Sequence, residues 1–183
     1  MSNIGASGKA SGGELEEKID LTPETDAKLA QSLDLAKSGQ VKEALNLLSA
    51  LEKRCRTGND NPNLVRVCEA SLTYCKDYAS GEDAVDNELL ISTLNTLATR
   101  RSQKTQAIGA LVRKCIPWCV EGQYTPLPVP PEQKKGRDKL VEALREISDG
   151  KIFLEAERAR LTRCMAMIMV RSIVVFCPFS VCV

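Results

Sequence analysis

Cys115 and Cys119 are the residues of this chain best placed by type and spacing to do chemistry, because four residues apart on a helix they share a face and could hold a soft metal ion together. A structural zinc site takes four ligands. The chain contains no histidine, so the other two would have to come from distant thiols or carboxylates. The neighbours Ile116, Pro117, Trp118 and Val120 point instead to thiols buried in a core. A CxxC redox pair is excluded by the spacing. Without histidine, Ser-His-Asp and Cys-His nucleophiles and the usual general base near neutral pH are excluded too. Ser7-Gly8-Lys9 looks like the end of a phosphate loop, but Asn3 stands where the motif needs glycine and Ala10 where it needs Ser or Thr. No catalytic residue, cofactor site or metal site is therefore expected.

Two charged groups remain as candidate partner contacts or structural ion pairs: Arg100, Arg101 and Lys104 at a corner between helices, and Glu155, Glu157, Arg158 and Arg160 on a later helix. On that helix Glu155 with Arg158, and Glu157 with Arg160, stand three apart, where opposite charges attract by about 0.2–0.5 kcal/mol per pair. Arg158 follows Leu154 by four and precedes Leu161 by three, which places it on or beside the buried stripe with a fixed partner. The corner cations suit a solvated turn near a helix C-terminus as well as a docking surface.

The elements that must carry these groups are helices. Thr22-Pro23-Glu24 opens the first, with Leu29, Leu33 and Ala36 as its stripe, and Gly39 breaks it. Val41, Ala44, Leu45, Leu48, Leu51 and Cys55 then recur at helical spacing, so the first two helices form a hairpin like a tetratricopeptide unit. Asn61-Pro62 caps a third, with Leu64, Val67, Cys68, Leu72 and Cys75 on one face. A fourth is expected from about Asp83 to Arg100, and a fifth after Ser102 as N-cap, ending or kinking at Pro117. Gly122 to Pro131, GQYTPLPVPP, reads as an extended loop, in which Pro128 and Pro131 match a minimal PxxP ligand spacing. A sixth helix covers Glu132 to Ser148, and a seventh opens at Lys151 after Gly150, with Leu154, Leu161, Met165 and Ile168 inward and Ile152, Ala156 and Ala159 on its flank. The expected fold is all-α: a right-handed, TPR-like helical-repeat solenoid of about seven antiparallel helices.

Composition agrees with that reading. Twenty-five basic and 24 acidic residues leave a net charge of +1, so nothing favours nucleic acid or an anionic membrane as partner. Charged residues make up 27% and aromatics 4%, against the β-rich classes. Eight cysteines without a signal-peptide pattern predict free thiols in a reducing compartment. Residues 1–20 are expected to be a disordered leader and 21–168 the solenoid. Residues 169–183, MVRSIVVFCPFSVCV, are an apolar, β-prone tail for which a tail anchor, a buried strand or helix, and foreign sequence are the alternatives.

Three blocks carry a family resemblance: GKIFLEAERARLT from Gly150, TRRSQKTQAI at Thr99 to Ile108 and LEKRCRTGND at Leu51 to Asp60. Together they resemble the N-terminal half of the family of non-ATPase regulatory subunit 12 of the 26S proteasome lid, from about Leu21 to Ile168. The related COP9 signalosome subunit 4 has a similar plan, but the ERARLT and RRSQ blocks fit the proteasome family better. The resemblance implies a non-enzymatic scaffold in ubiquitin-dependent degradation, in cytoplasm and nucleus, touching other lid subunits and neighbouring base or core-particle subunits. It implies further repeats and a C-terminal PCI domain to which nothing here corresponds, so weak or absent binding to the lid is expected. The family register is lost at about Met169, which favours foreign sequence for the tail, and a tail-anchored helical protein is the reading from another class.

Overall fold

The computed structural model describes residues 20–176. The expected leader, apart from Asp20, and residues 177–183 of the expected tail lie outside them. Helices α1 (Thr22–Lys37) and α2 (Val41–Thr57) are joined at Gly39, whose φ of 85° is a backbone state that glycine adopts at no steric cost. The buried face of α1 is Thr25, Ser32 and Ala36, with Leu29 and Leu33 half-buried beside it. Helix α3 (Asn61–Asp77) follows, and its N-cap is Asp60 rather than Asn61: the carboxylate accepts the Asn63 backbone N–H at 3.3 Å.

The fourth predicted helix is two. Asn87 takes a left-handed conformation (φ 55°) and divides α4 (Glu82–Asp86) from α5 (Glu88–Thr99), so the described residues hold eight α-helices instead of about seven. Asparagine tolerates that conformation, and here its Oδ1 accepts from Lys76 Nζ at 3.3 Å. The break turns α4 beneath the start of α7 (Lys134–Ser148), where Gly136 lies directly against the Val85 carbonyl and the Asp86 backbone.

Ser102 does not cap the next helix. It has φ 60° inside a turn closed by Gln103 N–H to Arg100 C=O at 3.1 Å, and an N-cap needs an extended backbone, which Lys104 supplies at the head of α6 (Thr105–Cys115). Pro117 sits in a single 3-10 turn, Ile116–Trp118. The predicted loop then opens with a small antiparallel hairpin, β1 (Val120–Glu121) with β2 (Thr125–Pro126), Val120 opposite Pro126 and Glu121 opposite Thr125. After Gly150 comes another 3-10 turn, Ile152–Leu154, and only then α8 (Glu155–Phe176).

Helix α2 packs between α1 and α3, α3 against both α5 and α6, and α7 against α5, α6 and α8. Helices α1, α2, α4, α5, α6 and α7 each pack on their successor, and α1, α3 and α5 on the helix after that, which makes the fold all-α and solenoid-like. One apolar cluster runs through the stack, with Leu48, Leu51, Leu64, Leu72, Leu94, Leu111, Leu140, Leu144, Leu154 and Leu161 fully buried. Each such leucine stabilises by about 1.5–3 kcal/mol through area removed from water. Met169 continues α8 rather than leaving it, and among the described residues no helix is long and apolar enough to cross a membrane.

Candidate functional site

Glu52 stands four after Leu48 and three before Cys55, on the apolar stripe of α2, and its side chain is 1% exposed. A lone carboxylate there would cost several kcal/mol, so its partners decide whether the helix can pack at all. Arg56, one turn on, donates from Nε to Oε1 at 3.1 Å. The other donors come from the α5–α6 corner: Arg100 Nη1 bonds Oε2, and Gln103 Nε2 reaches Oε1 at 3.1 Å. Arg100 Nη2 also donates to Ser49 Oγ at 2.7 Å, and Gln103 Nε2 to the Leu97 carbonyl at 2.8 Å.

Backbone and flanking groups close the junction. Arg56 Nη1 donates to the Arg101 carbonyl at 2.8 Å, and Lys104 Nζ bonds Asn59 Oδ1. The segments Leu51–Asp60 and Thr99–Ile108, about fifty residues apart in sequence, therefore meet around one carboxylate. Of the three corner cations, Arg100 is turned inward, Lys104 is half-buried, and Arg101 exposes its side chain. Both Glu52 oxygens are occupied, so the arrangement can hold two helix pairs in register but offers no free base or nucleophile.

Asp60, just past the C-terminus of α2, pins the start of α1 to the start of α3. Its Oδ2 accepts from the Leu21 backbone N–H at 2.9 Å and from Asn63 Nδ2 at 2.8 Å, while Asn63 Nδ2 also reaches Thr22 Oγ1 at 2.9 Å. Burial pushes the Asp60 carboxyl up, but the donors from Asn63 and Leu21 outweigh it and hold it below the usual carboxylate range.

The four charges of α8 are arranged differently from the predicted ladder. Glu157 is bound by Arg113 of α6, Nε to Oε1 at 2.7 Å; burial raises its carboxyl, and the Arg113 hydrogen bond and charge bring it below its ordinary value. Arg160 donates to the Gly122 and Gln123 carbonyls of the β1–β2 turn at 2.8 and 2.9 Å. Arg158 is exposed and pairs with Asp149 at 2.6 Å instead of lining the stripe, and Glu155, Ala156, Ala159 and Ile152 are exposed as well. The reason is the place of α8 at the edge of the stack: it packs on α7 and β2, so its buried stripe narrows to Leu154, Leu161, Cys164 and Ile168.

Cys115 and Cys119 lie in the core, Cys119 Sγ donating to the Cys115 and Ile116 carbonyls at 3.7 and 3.5 Å. Burial pushes both thiols up, Cys119 to about 12. Among the described residues no group of three or more His, Cys, Asp or Glu side chains could hold a metal ion. Sequence reasoning overlooked Glu52, Gln103, Asp60 and Asn63. Only Glu52 had a local signal, since an acidic residue at stripe spacing needs a partner.

The family model described as PSMD12/CSN4, N-terminal, matches residues 43–172, which include every residue bound to Glu52. The chain belongs to this family. It is 36% identical over 149 residues to the 26S proteasome non-ATPase regulatory subunit 12 of Dictyostelium discoideum, covering 81% of the chain and 30% of that protein. With the 26S proteasome regulatory subunit rpn501 of Schizosaccharomyces pombe it shares 31% over 144 residues, 78% of the chain and 29% of the relative. With homolog A of subunit 12 in Arabidopsis thaliana it shares 28% over 131 residues, 72% and 26% respectively. The chain thus spans less than a third of the length of these curated relatives. No solved structure matches. The match runs past Met169 by nearly a turn, so the family register extends further than the apolar composition of the tail suggests.

Proposed function

We propose that this chain is a non-catalytic scaffold subunit of the 26S proteasome regulatory-particle lid, serving ubiquitin-dependent degradation through protein–protein contacts in cytoplasm and nucleus. The observation that carries the reading is the family match over residues 43–172, a helical stack whose buried charges are bound to one another. Its partners are other lid subunits and neighbouring base or core-particle subunits, and it takes no cofactor. Chemical cross-linking and mass spectrometry on the tagged chain in cells tests this. Cross-links to lid subunits above background are expected. Absence of lid cross-links above background would contradict the reading, and enrichment of COP9 signalosome subunits instead would favour the second reading that the shared family description allows.

A further inference from the structure

Helices α1, α3, α5 and α7 pack on one another in turn and make one layer of the stack. Between α5 and α7 that layer carries an open groove of about 390 Å³. Helix α5 also packs on α3, and α7 on α8, so the groove lies within the stack and not at its end. Its floor is the half-buried Ile91 and the buried Ala143, with Ser92 and Asn95 on the α5 rim and Glu142 and Glu146 on the α7 rim. The polar groups around Glu52 and Asp60 are spent on one another, whereas those of the groove are not. Lys139, the one cation that lines it, is committed to Asp86 at 3.2 Å and Glu88 at 3.1 Å. Among the described residues no cation or donor meets the carboxylates of Glu142 and Glu146, and the side chains of Ser92 and Asn95 make no hydrogen bond. Glu142 and Glu146 stand one turn apart, where like charges repel by about 0.2–0.5 kcal/mol. A bound cationic group relieves that repulsion.

The geometry points to a docking site for an extended segment of a partner protein that carries Lys or Arg at alternate positions. Charge complementarity selects the basic residues, since three carboxylates face one ammonium across the groove. Spacing and backbone chemistry select the extended form. Glu142 and Glu146 lie about 6 Å apart along α7 at 1.5 Å per residue. Side chains two apart on a strand lie about 6.6 Å apart, so two basic residues meet both carboxylates at once. Their alkyl stems cross the floor of Ile91 and Ala143. A helix with cations four apart matches the spacing as well, but its backbone bonds are already made within it. A strand leaves its N–H and C=O groups free for Asn95, which offers both a donor and an acceptor, and for the Ser92 hydroxyl. This inference is independent of the proposed function.

NMR titration of the full 15N-labelled chain with the peptide acetyl-Gly-Lys-Val-Lys-Gly-amide at low salt tests it. Saturable shifts confined to residues 88–95 and 139–146 are expected. Glu142→Gln combined with Glu146→Gln should weaken binding about fivefold with unchanged far-UV circular dichroism, because both side chains are exposed. Glu132→Gln combined with Glu155→Gln makes the same change of charge at exposed positions away from the groove, and should leave binding within about twofold of the original. An alanine-rich helical peptide with its two lysines four apart is the alternative occupant. No saturable shifts, shifts centred outside the groove, equal weakening by the two double variants, or tighter binding of the helical peptide would each overturn the inference.

Discussion

Arg100→Ala tests whether the junction of α2 with the α5–α6 corner depends on the buried carboxylate. Glu52 is 1% exposed and Arg100 20%, so the pair exchanges little with water. Stranding a buried charge altogether costs about 3–5 kcal/mol. Here the loss is partial, because Arg56 Nε and Gln103 Nε2 stay on Oε1 while Oε2 loses its donor. A hydrogen bond to a charged group contributes about 1.5–3 kcal/mol, and the bond to Ser49 Oγ is lost with it. The expected destabilisation is about 2–3 kcal/mol by urea unfolding, which for a chain of this length lowers Tm by about 5–10 °C. Removing Arg56 as well leaves only Gln103, and the loss rises to about 4–5 kcal/mol.

Two controls separate this from generic damage at the corner. Arg101→Ala removes an exposed side chain and keeps the carbonyl that Arg56 uses, so its effect stays within about 0.5 kcal/mol. Adding Glu52→Met to Arg100→Ala recovers part of the loss, because the unpaired charge goes while the volume is kept. If Arg100→Ala costs under about 1 kcal/mol, or no more than Arg101→Ala, the carboxylate is solvated or neutral and the argument for the junction fails.

Other consequences are open to the same kind of measurement. The Asp60 carboxyl is held below its unfolded value of about 3.9, so its stabilisation is complete above that pH and is lost as pH falls through the folded value; Asp60→Asn should flatten the acid limb of stability followed by urea midpoint below about pH 4. Gly136→Ala would add a Cβ that overlaps the Val85 carbonyl oxygen and stands 2.8 Å from the Asp86 carbonyl carbon, so Tm falls by the equivalent of about 1–3 kcal/mol although alanine favours helix elsewhere. The thiols of Cys68, Cys75, Cys115 and Cys119 are buried and raised, to about 12, 11 and 12 for Cys68, Cys75 and Cys119, so peptide mapping after iodoacetamide at mildly alkaline pH should find them unmodified in native protein and modified in urea.

What the sequence discloses depends on how local the determinant is. The hairpin of α1 and α2 was legible because Gly39 falls between two amphipathic stripes. The break at Asn87 was not, since no proline or glycine lies between Asp83 and Thr99 and the stripe Leu90, Leu94, Leu97 runs on without a fault; the residue that lets the turned segment lie against α7, Gly136, is fifty residues downstream. The strands at Val120 and Thr125 are two residues each, too short to show alternation among prolines and glycine. Arg158 and Glu52 satisfy the same spacing rule and have opposite fates. Both flank a helical stripe, but α2 is enclosed by α1, α3 and the corner, while α8 leaves that flank open to water. Spacing identifies the face, and the neighbours decide how wide it is buried.

That difference also changes what the resemblance blocks mean. The corner cations of TRRSQKTQAI suit a docking surface as well as a solvated turn, yet that block faces LEKRCRTGND and the polar groups of the two are largely spent inward: Glu52, Arg56, Arg100 and Gln103 on one another, and Asp60 on Asn63 and Leu21. An internal junction is enough to account for those residue types, with no partner required. Groups available to a partner must then be those the junction does not consume, such as the Arg101 side chain and the exposed face of α8. The first is a single cation on a fixed turn. The second sets Arg163 among Ala156, Ala159 and Ala166, so its apolar surface is interrupted, and its large exposed side chains stand only at the two ends, Ile152 and Phe153 at one and Met169 and Val170 at the other.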